Sequence, residues 1–238
     1  MCGRYVASTP TSVLADAFDV DETLVEGDHP SYNVAPTDPV PAVAVNRAGQ
    51  RTLGLMRWGL VPSWSADAKG AARMINARVE TVLRSRAFGA AFERRRCLLP
   101  ADGFYEWERR ADGSKQPWFV HRADGLPIAM AGIWEVWRPE GADPDSPLLR
   151  TCSILTTAAD DMMAPVHDRM PVILPADLWT DWLDRETSPA DALEIALAED
   201  QLVRHRVGAR VNSVRNNGPD LVESVPEPAP APVPLRLL

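Results

Sequence analysis

The sequence predicts an α+β fold, one domain whose largely antiparallel β-sheet or barrel core is flanked by helices. Three observations carry that expectation. Strand-like segments dominate the middle of the chain, segments of helical spacing flank it, and no internal repeat is visible. The composition is that of a globular protein: 238 residues, 45% hydrophobic and 24% charged, enough to bury a substantial core.

Taken in order, "TPTSVLADAFDV" places Val13, Leu14, Ala17 and Phe18 on one face behind Thr or Ser caps, which predicts a short amphipathic helix. "PVPAVAVN", "RTLGLMRWGLVP" and "RRCLLPADGFYEW" read as strands. "PWFVHRADGLPIAMAGIWEVW" reads as a hairpin turning at Ala123-Asp124-Gly125, and "RTCSILTTAA" and "MPVILP" extend the sheet. Helical spacing is expected in "NARVETVLRSRAF", in "PADLWTDWLDRE" with Leu178, Trp179, Trp182 and Leu183 together, and in "SPADALEIALAED", where Ser188-Pro189 is a start signal. The boundary of the folded domain is placed at residue 224, and the Pro/Ala-rich segment 225–238 is expected to be disordered.

Composition also excludes several function classes. No apolar run is long enough to span a bilayer, and "CGRY" lacks the apolar core of a secretion signal, so an intracellular, cytoplasmic monomer is expected. Three widely spaced cysteines, Cys2, Cys97 and Cys152, fit neither a disulfide scaffold nor a zinc motif, and the last two sit in strand-like apolar contexts. No metal or cofactor is expected. A net charge of -8 argues against indiscriminate polyanion binding, yet arginines gather in "RVETVLRSR", "ERRRC", "HDRMP" and "RHRVGARVNSVRNN". These clusters are either solvated surface pairs or a local basic face.

The chemistry is expected at the opening "MCGRYV". Removal of Met1 would leave Cys2 with a thiol and an α-amine on adjacent carbons, both partly deprotonated near neutrality. Three polar clusters in apolar surroundings could serve it: "MINARVET" with Asn76 and Arg78, "GFYEWE" with Glu106, and "PVHDRMP" with His167, Asp168 and Arg169. Each has a structural alternative. Glu106 could be the exposed residue of an alternating strand, His167 a satisfied structural histidine, and Asn76 a helix cap. Together they supply an acid/base, a second proton-transfer group and an orienting amide.

On "MCGRY", "YNVAPT", "RWGLVPSW", "INARVET", "LLPADGFYEW", "KQPWFV", "VHDRMPVIL" and "NSVRNNGP", the chain resembles the SOS response-associated peptidase family, whose members shield abasic sites in single-stranded DNA by crosslinking to them. The resemblance implies Cys2 as nucleophile, Asn76 as orienting amide, Glu106 as acid/base and His167 as second catalytic partner. It further implies DNA contacts at Arg4, Asn33, Trp64, Arg78, Trp107 and Arg169. "SADAKG" after Trp64 departs from the doubled tryptophan of some members. The implied partner is single-stranded DNA containing abasic sites, and the implied product a thiazolidine on Cys2. A terminal-nucleophile thiol peptidase and a non-covalent DNA-junction binder are the alternatives.

Overall fold

The computed structural model describes residues 2–143, 145–196 and 202–227. Its strands and helices run β1 (Tyr5–Ala7), α1 (Thr11–Ala17), β2 (Glu22–Thr23), β3 (Ser31–Val34), β4 (Pro39–Val45), β5 (Arg51–Trp58), β6 (Asn76–Arg78), α2 (Gly89–Arg94), β7 (Arg96–Ala101) and β8 (Gly103–Arg109). They continue with β9 (Lys115–Arg122), β10 (Ile128–Trp137), β11 (Leu149–Ala158), β12 (Arg169–Pro171), α3 (Trp179–Leu183), α4 (Pro189–Ile195) and β13 (Leu202–Arg206). The expected α+β class with an antiparallel, barrel-like core holds, in a single domain.

Five strands close on themselves in the order β11-β10-β7-β4-β5. The return from β5 to β11 is parallel, Thr151 against Arg57 and Cys152 against Trp58, while the other joints of the ring are antiparallel. Alternation sorts the side chains. Val40, Met56, Trp58, Cys97, Leu99, Met130, Cys152 and Ile154 belong to one apolar cluster. Val43, Leu53, Leu98, Ala131, Ile133 and Leu155 join Leu14, Phe92, Trp182 and Ala192 of the four helices in another. Strands covered on both faces read as continuous apolar runs, which is why "PVPAVAV" and "RCLLPA" lack a polar period.

A second sheet, β13-β9-β8-β1-β3, adds Tyr5, Val34, Phe104 and Val120 to the first cluster. The chain passes from barrel to second sheet between β7 and β8, so the "RRCLLPADGFYEW" stretch is two strands. Gly103 has φ +158°, and a Cβ there would lie 2.4 Å from the Val120 carbonyl oxygen. Asp102 beside it accepts hydrogen bonds from the Ser8 and Thr9 backbone N–H groups, at 2.5 and 3.2 Å, and from both hydroxyls.

That switch also corrects the expected hairpin. The turn at Ala123–Gly125 exists, with Gly125 at φ +73°, but β9 pairs with β8 and β13 whereas β10 pairs with β7 and β11. Once β7 and β8 occupy different sheets, their successive partners must part as well. A second correction concerns "NARVETVLRSRAF", which is not a helix: residues 76–78 are captured as β6, parallel to β11, and a short 3-10 turn covers Val82–Arg84. Burial of Val79 and Val82 under the barrel outweighs the local helical spacing. Leu14 of α1 and Phe18 just after it are buried but Val13 and Ala17 are exposed, and in place of a Thr or Ser cap Asp28 Oδ1 accepts the Thr11 N–H at 2.7 Å. α4 starts as expected, with the Ser188 hydroxyl accepting from the Asp191 N–H and Pro189 at its first position. Of the tail, Val225 donates to the Arg206 carbonyl and Glu227 pairs with Arg206; the rest of the expected disordered segment lies outside the described residues.

Arg96 ties the helices to the barrel. Its buried guanidinium donates to the carbonyls of Trp182, Phe92, Glu93, Asp184 and Thr187. Arg96→Ala orphans those carbonyls and removes a charged donor, so a loss of about 3 kcal/mol in urea denaturation is expected. A loss below about 1 kcal/mol would show that the helices dock without it.

Candidate functional site

Cys2 precedes β1 and is fully buried, in one cluster with Met163, Val166 and Met170. Its placement follows from two neighbouring strands. Asn76 opens β6, and its Nδ2 donates to the Cys2 carbonyl oxygen at 2.7 Å. Glu106 sits on β8, 3% exposed, opposite Trp118 of β9. The alternative of an exposed strand residue is therefore excluded, because the face of β8 that carries Glu106 is the inner one. Asn76 is likewise a strand residue with its amide on Cys2, not a helix cap.

Burial, and after it the nearby charge of Glu106, push the Cys2 thiol well above the usual thiol range. A standing thiolate is disfavoured there, and any attack by sulfur has to be coupled to removal of its proton. The Oδ1 of Asn76 is a buried acceptor with no hydrogen-bond partner among the described residues.

His167 follows a turn that carries Met163 and Val166 into the Cys2 cluster, and its own N–H donates to the Met163 carbonyl at 3.0 Å. Its Nδ1 lies 2.9 Å from both the Arg169 N–H and an Asp168 carboxylate oxygen. The Arg169 amide calls on Nδ1 as an acceptor and the Asp168 carboxylate calls on it as a donor, so the two contacts compete for that nitrogen.

The residues expected to contact DNA divide by exposure. Arg78 is exposed at the end of β6, and Trp64 is 54% exposed with the Arg86 guanidinium 4.4 Å from its ring centre. Arg4 donates to Asn33 Oδ1 at 2.6 Å and to the Val211 carbonyl at 3.0 Å, and lies 5.9 Å from the Trp107 ring centre. Trp107 donates in turn to Asn212 Oδ1 at 2.7 Å. Asn33 is 4% exposed, and its Nδ2 is directed at the carbonyls of Val211, Ser213 and Asn216. Arg169 is 9% exposed and bidentate to Glu80, at 2.5 and 3.0 Å, with a further bond to the Thr156 carbonyl. Asn33 and Arg169 are thus held inside the protein, one fastening the loop after β13 and the other joining β12 to β11.

Sequence reasoning assigned no role to Arg86, Glu80, Asn212 or Asn217. The asparagine-rich "NSVRNN" was a signal for the last two: Asn217 Oδ1 accepts the Tyr32 N–H at 2.7 Å and, with Asn33, clips that loop over β3. Among the described residues no group of His, Cys, Asp and Glu could hold a metal ion. Among the described residues no helix is long and apolar enough to cross a membrane.

The chain is similar to known proteins over most of its length. The family model described as SOS response associated peptidase (SRAP) matches residues 1–214. The chain is 37% identical over 228 residues to the abasic site processing protein YoqW of Bacillus subtilis, covering 94% of this chain and all of that one. It is 35% identical over 233 residues to the abasic site processing protein YedK of Escherichia coli, covering 94% and 100%. It is 32% identical over 262 residues to the chicken abasic site processing protein HMCES, covering 92% of this chain and 76% of that protein. A crystal structure of a protein from Bacteroides thetaiotaomicron superposes with a TM-score of 0.82 at 21% identity, covering 94% of this chain, and supports the fold.

The Arg169 pair holds the Glu80 carboxyl below its usual range. Because that pKa is depressed by folding, the pair stabilises the protein above the ordinary carboxylate range, and the contribution fades as pH falls through the folded value. Glu80 is nearly half exposed, so Glu80→Gln should cost only about 0.5–1 kcal/mol at pH 7. In denaturation curves the gap between variant and parent should close as pH falls below the ordinary carboxylate range; a gap that persists in acid would mean the loss is one of packing.

Proposed function

The chain belongs to the SOS response associated peptidase family, and on that premise we propose that it processes abasic sites in single-stranded DNA by forming a thiazolidine on Cys2 once Met1 has been removed. The observation that carries this reading is the Asn76 bond to the Cys2 carbonyl beside buried Glu106. It fixes the terminal residue by its backbone and leaves amine and thiol for chemistry.

The free α-amine of Cys2 adds to the aldehyde carbon of the ring-opened sugar, and the resulting carbinolamine loses water to give an imine. The thiol then adds across the imine: a carbon–sulfur bond forms, and the thiol proton passes to the nitrogen. The five-membered ring closes with the large effective molarity of a neighbouring group. Glu106 relays protons in both steps, which a thiol held protonated by its surroundings requires. His167 assists opening of the sugar.

DNA is held by cationic and aromatic groups: exposed Arg78 and the exposed Trp64–Arg86 stack, and the half-buried Arg4–Trp107 shelf. Asn33 and Arg169 act by positioning, since both are directed at protein partners. Selectivity comes from the lesion, which alone offers an aldehyde. A thiol-peptidase reading is less well supported, because it calls for a ready thiolate and burial works against one.

Cys2→Ser should keep a borohydride-trappable imine but lose the stable crosslink seen in denaturing electrophoresis with abasic single-stranded DNA. A serine variant that gives a stable, unreduced band at parental yield would overturn the thiazolidine.

Glu106→Gln preserves shape and removes proton exchange. Under single-turnover conditions, crosslinking and its reversal should both slow by about 10²-fold or somewhat less, given an already reactive aldehyde. Equal rates in both directions would pass the acid/base role to His167.

A further inference from the structure

We propose that Trp118, Arg204 and Arg206 form a phosphate subsite for the strand flanking the lesion, and that the Glu227 carboxylate occupies this subsite until DNA displaces it. The proposal rests on the function proposed above. Its starting point is register: Glu106 on β8, Trp118 on β9 and Arg206 on β13 lie directly opposite one another, on the same face of the second sheet. At about 4.8 Å per strand, Arg206 is about 10 Å from Glu106, the reach of one or two nucleotides along a single strand.

The chemistry of the cluster suits an anion. The guanidinium carbons of Arg204 and Arg206 lie 4.7 and 5.0 Å from the Trp118 ring centre. Stacking on the indole orients both cations and lowers the entropy lost when they bind phosphate. Trp118 is itself fixed, since its Nε1 donates to Glu108 Oε2 at 2.9 Å. The Nη1 of Arg204 is buried and has no hydrogen-bond partner among the described residues, so one donor of the pair is unspent.

Glu227 shows what the subsite accepts. Its Oε1 takes a hydrogen bond from Arg206 Nη2 at 2.7 Å, though the carboxylate is 73% exposed. Arg206 and, beyond it, Arg110 hold this carboxyl below its usual range, so it stays charged at neutral pH. The segment bearing it is laid along β13 by the Val225 N–H to Arg206 carbonyl bond, 2.9 Å, and by pairing of Val207 with Ser224. A carboxylate delivered on a surface strand can be exchanged for a phosphate oxygen at small cost, because exposed pairs of this kind are worth little. Glu108 contributes opposing charge from β8 and keeps the subsite selective for a ligand that makes more than one bond.

The test measures binding of the full chain to an undamaged oligothymidylate by fluorescence anisotropy across a salt series, which needs no covalent step. Glu227→Gln should tighten binding about three- to tenfold, since it removes the competitor. Arg204→Gln should weaken it by a similar factor and flatten the slope of log affinity against log salt by ~0.7, one single-strand phosphate contact. In Arg206→Gln the effect of Glu227→Gln should vanish, because the two act through one contact. Unchanged affinity and slope in Glu227→Gln, a substitution on an exposed residue that leaves the fold intact, would overturn the subsite. Binding that shifts as expected in a protein that fails to crosslink abasic DNA would leave the subsite standing and reject the covalent function instead.

Discussion

Closure of the barrel along one edge of β11 governs the rest of the molecule. That edge first receives β5, at Thr151 and Cys152, and then β6, at Ile154 to Thr156. Backbone bonds run along it without interruption, from Gly59 to the Cys152 carbonyl, from Ile154 to the Ile75 carbonyl and from Val79 to the Thr156 carbonyl. Parallel pairing of two short segments on one strand is weak taken alone, but here it is buried on both faces. The three residues of β6 have no other strand partner, so the position of Asn76, and through it that of Cys2, is inherited from β11.

The site that results combines two groups which solvent would separate. A thiol and a carboxylate are both buried beside an apolar cluster, and burial, with the carboxylate charge after it, raises the cost of ionising the thiol. Around them the arginines fall into three environments: exposed at Arg78, stacked on indole at Arg86 and Arg204, and sealed into ion pairs or carbonyl cages at Arg169 and Arg96. Net charge says nothing about this division, since the third kind directs its guanidinium at protein partners inside the fold.

How much of this was legible in the sequence depended on the range of the interactions involved. Ser188-Pro189 marks a helix start because capping is settled within four residues, and the strand character of "RCLLPA" follows from its own apolar run. The residue types of the candidate site were legible through motif, above all Cys2 beside the opening Met1. The assignment of strands to sheets was not. Nothing in "RADGLP" distinguishes a hairpin from a crossing between sheets, because the decision is made some twenty residues earlier at Asp102-Gly103. "NARVET" misleads for a related reason: its helical spacing is real, but the free edge of β11 takes the segment first. The burial of Asn33 and Arg169 belongs to the same class, since their partners stand 178 and 89 residues away.

β1 is three residues long and is gripped at both ends, by Asn76 on the carbonyl of Cys2 before it and by the Asp102 carboxylate on Ser8 and Thr9 after it. Its pairing with β3 already contains an irregularity, Tyr5 opposite Val34 but Ala7 opposite Ser31. Side chains alternate along a strand, so a shift of one residue would exchange Tyr5, now in the barrel cluster, with Val6, now packed with Tyr105 and Phe119. The interval from Cys2 to Tyr5 is therefore a fixed ruler: the protein can lengthen its loops, but one residue gained or lost here would part Cys2 from Asn76.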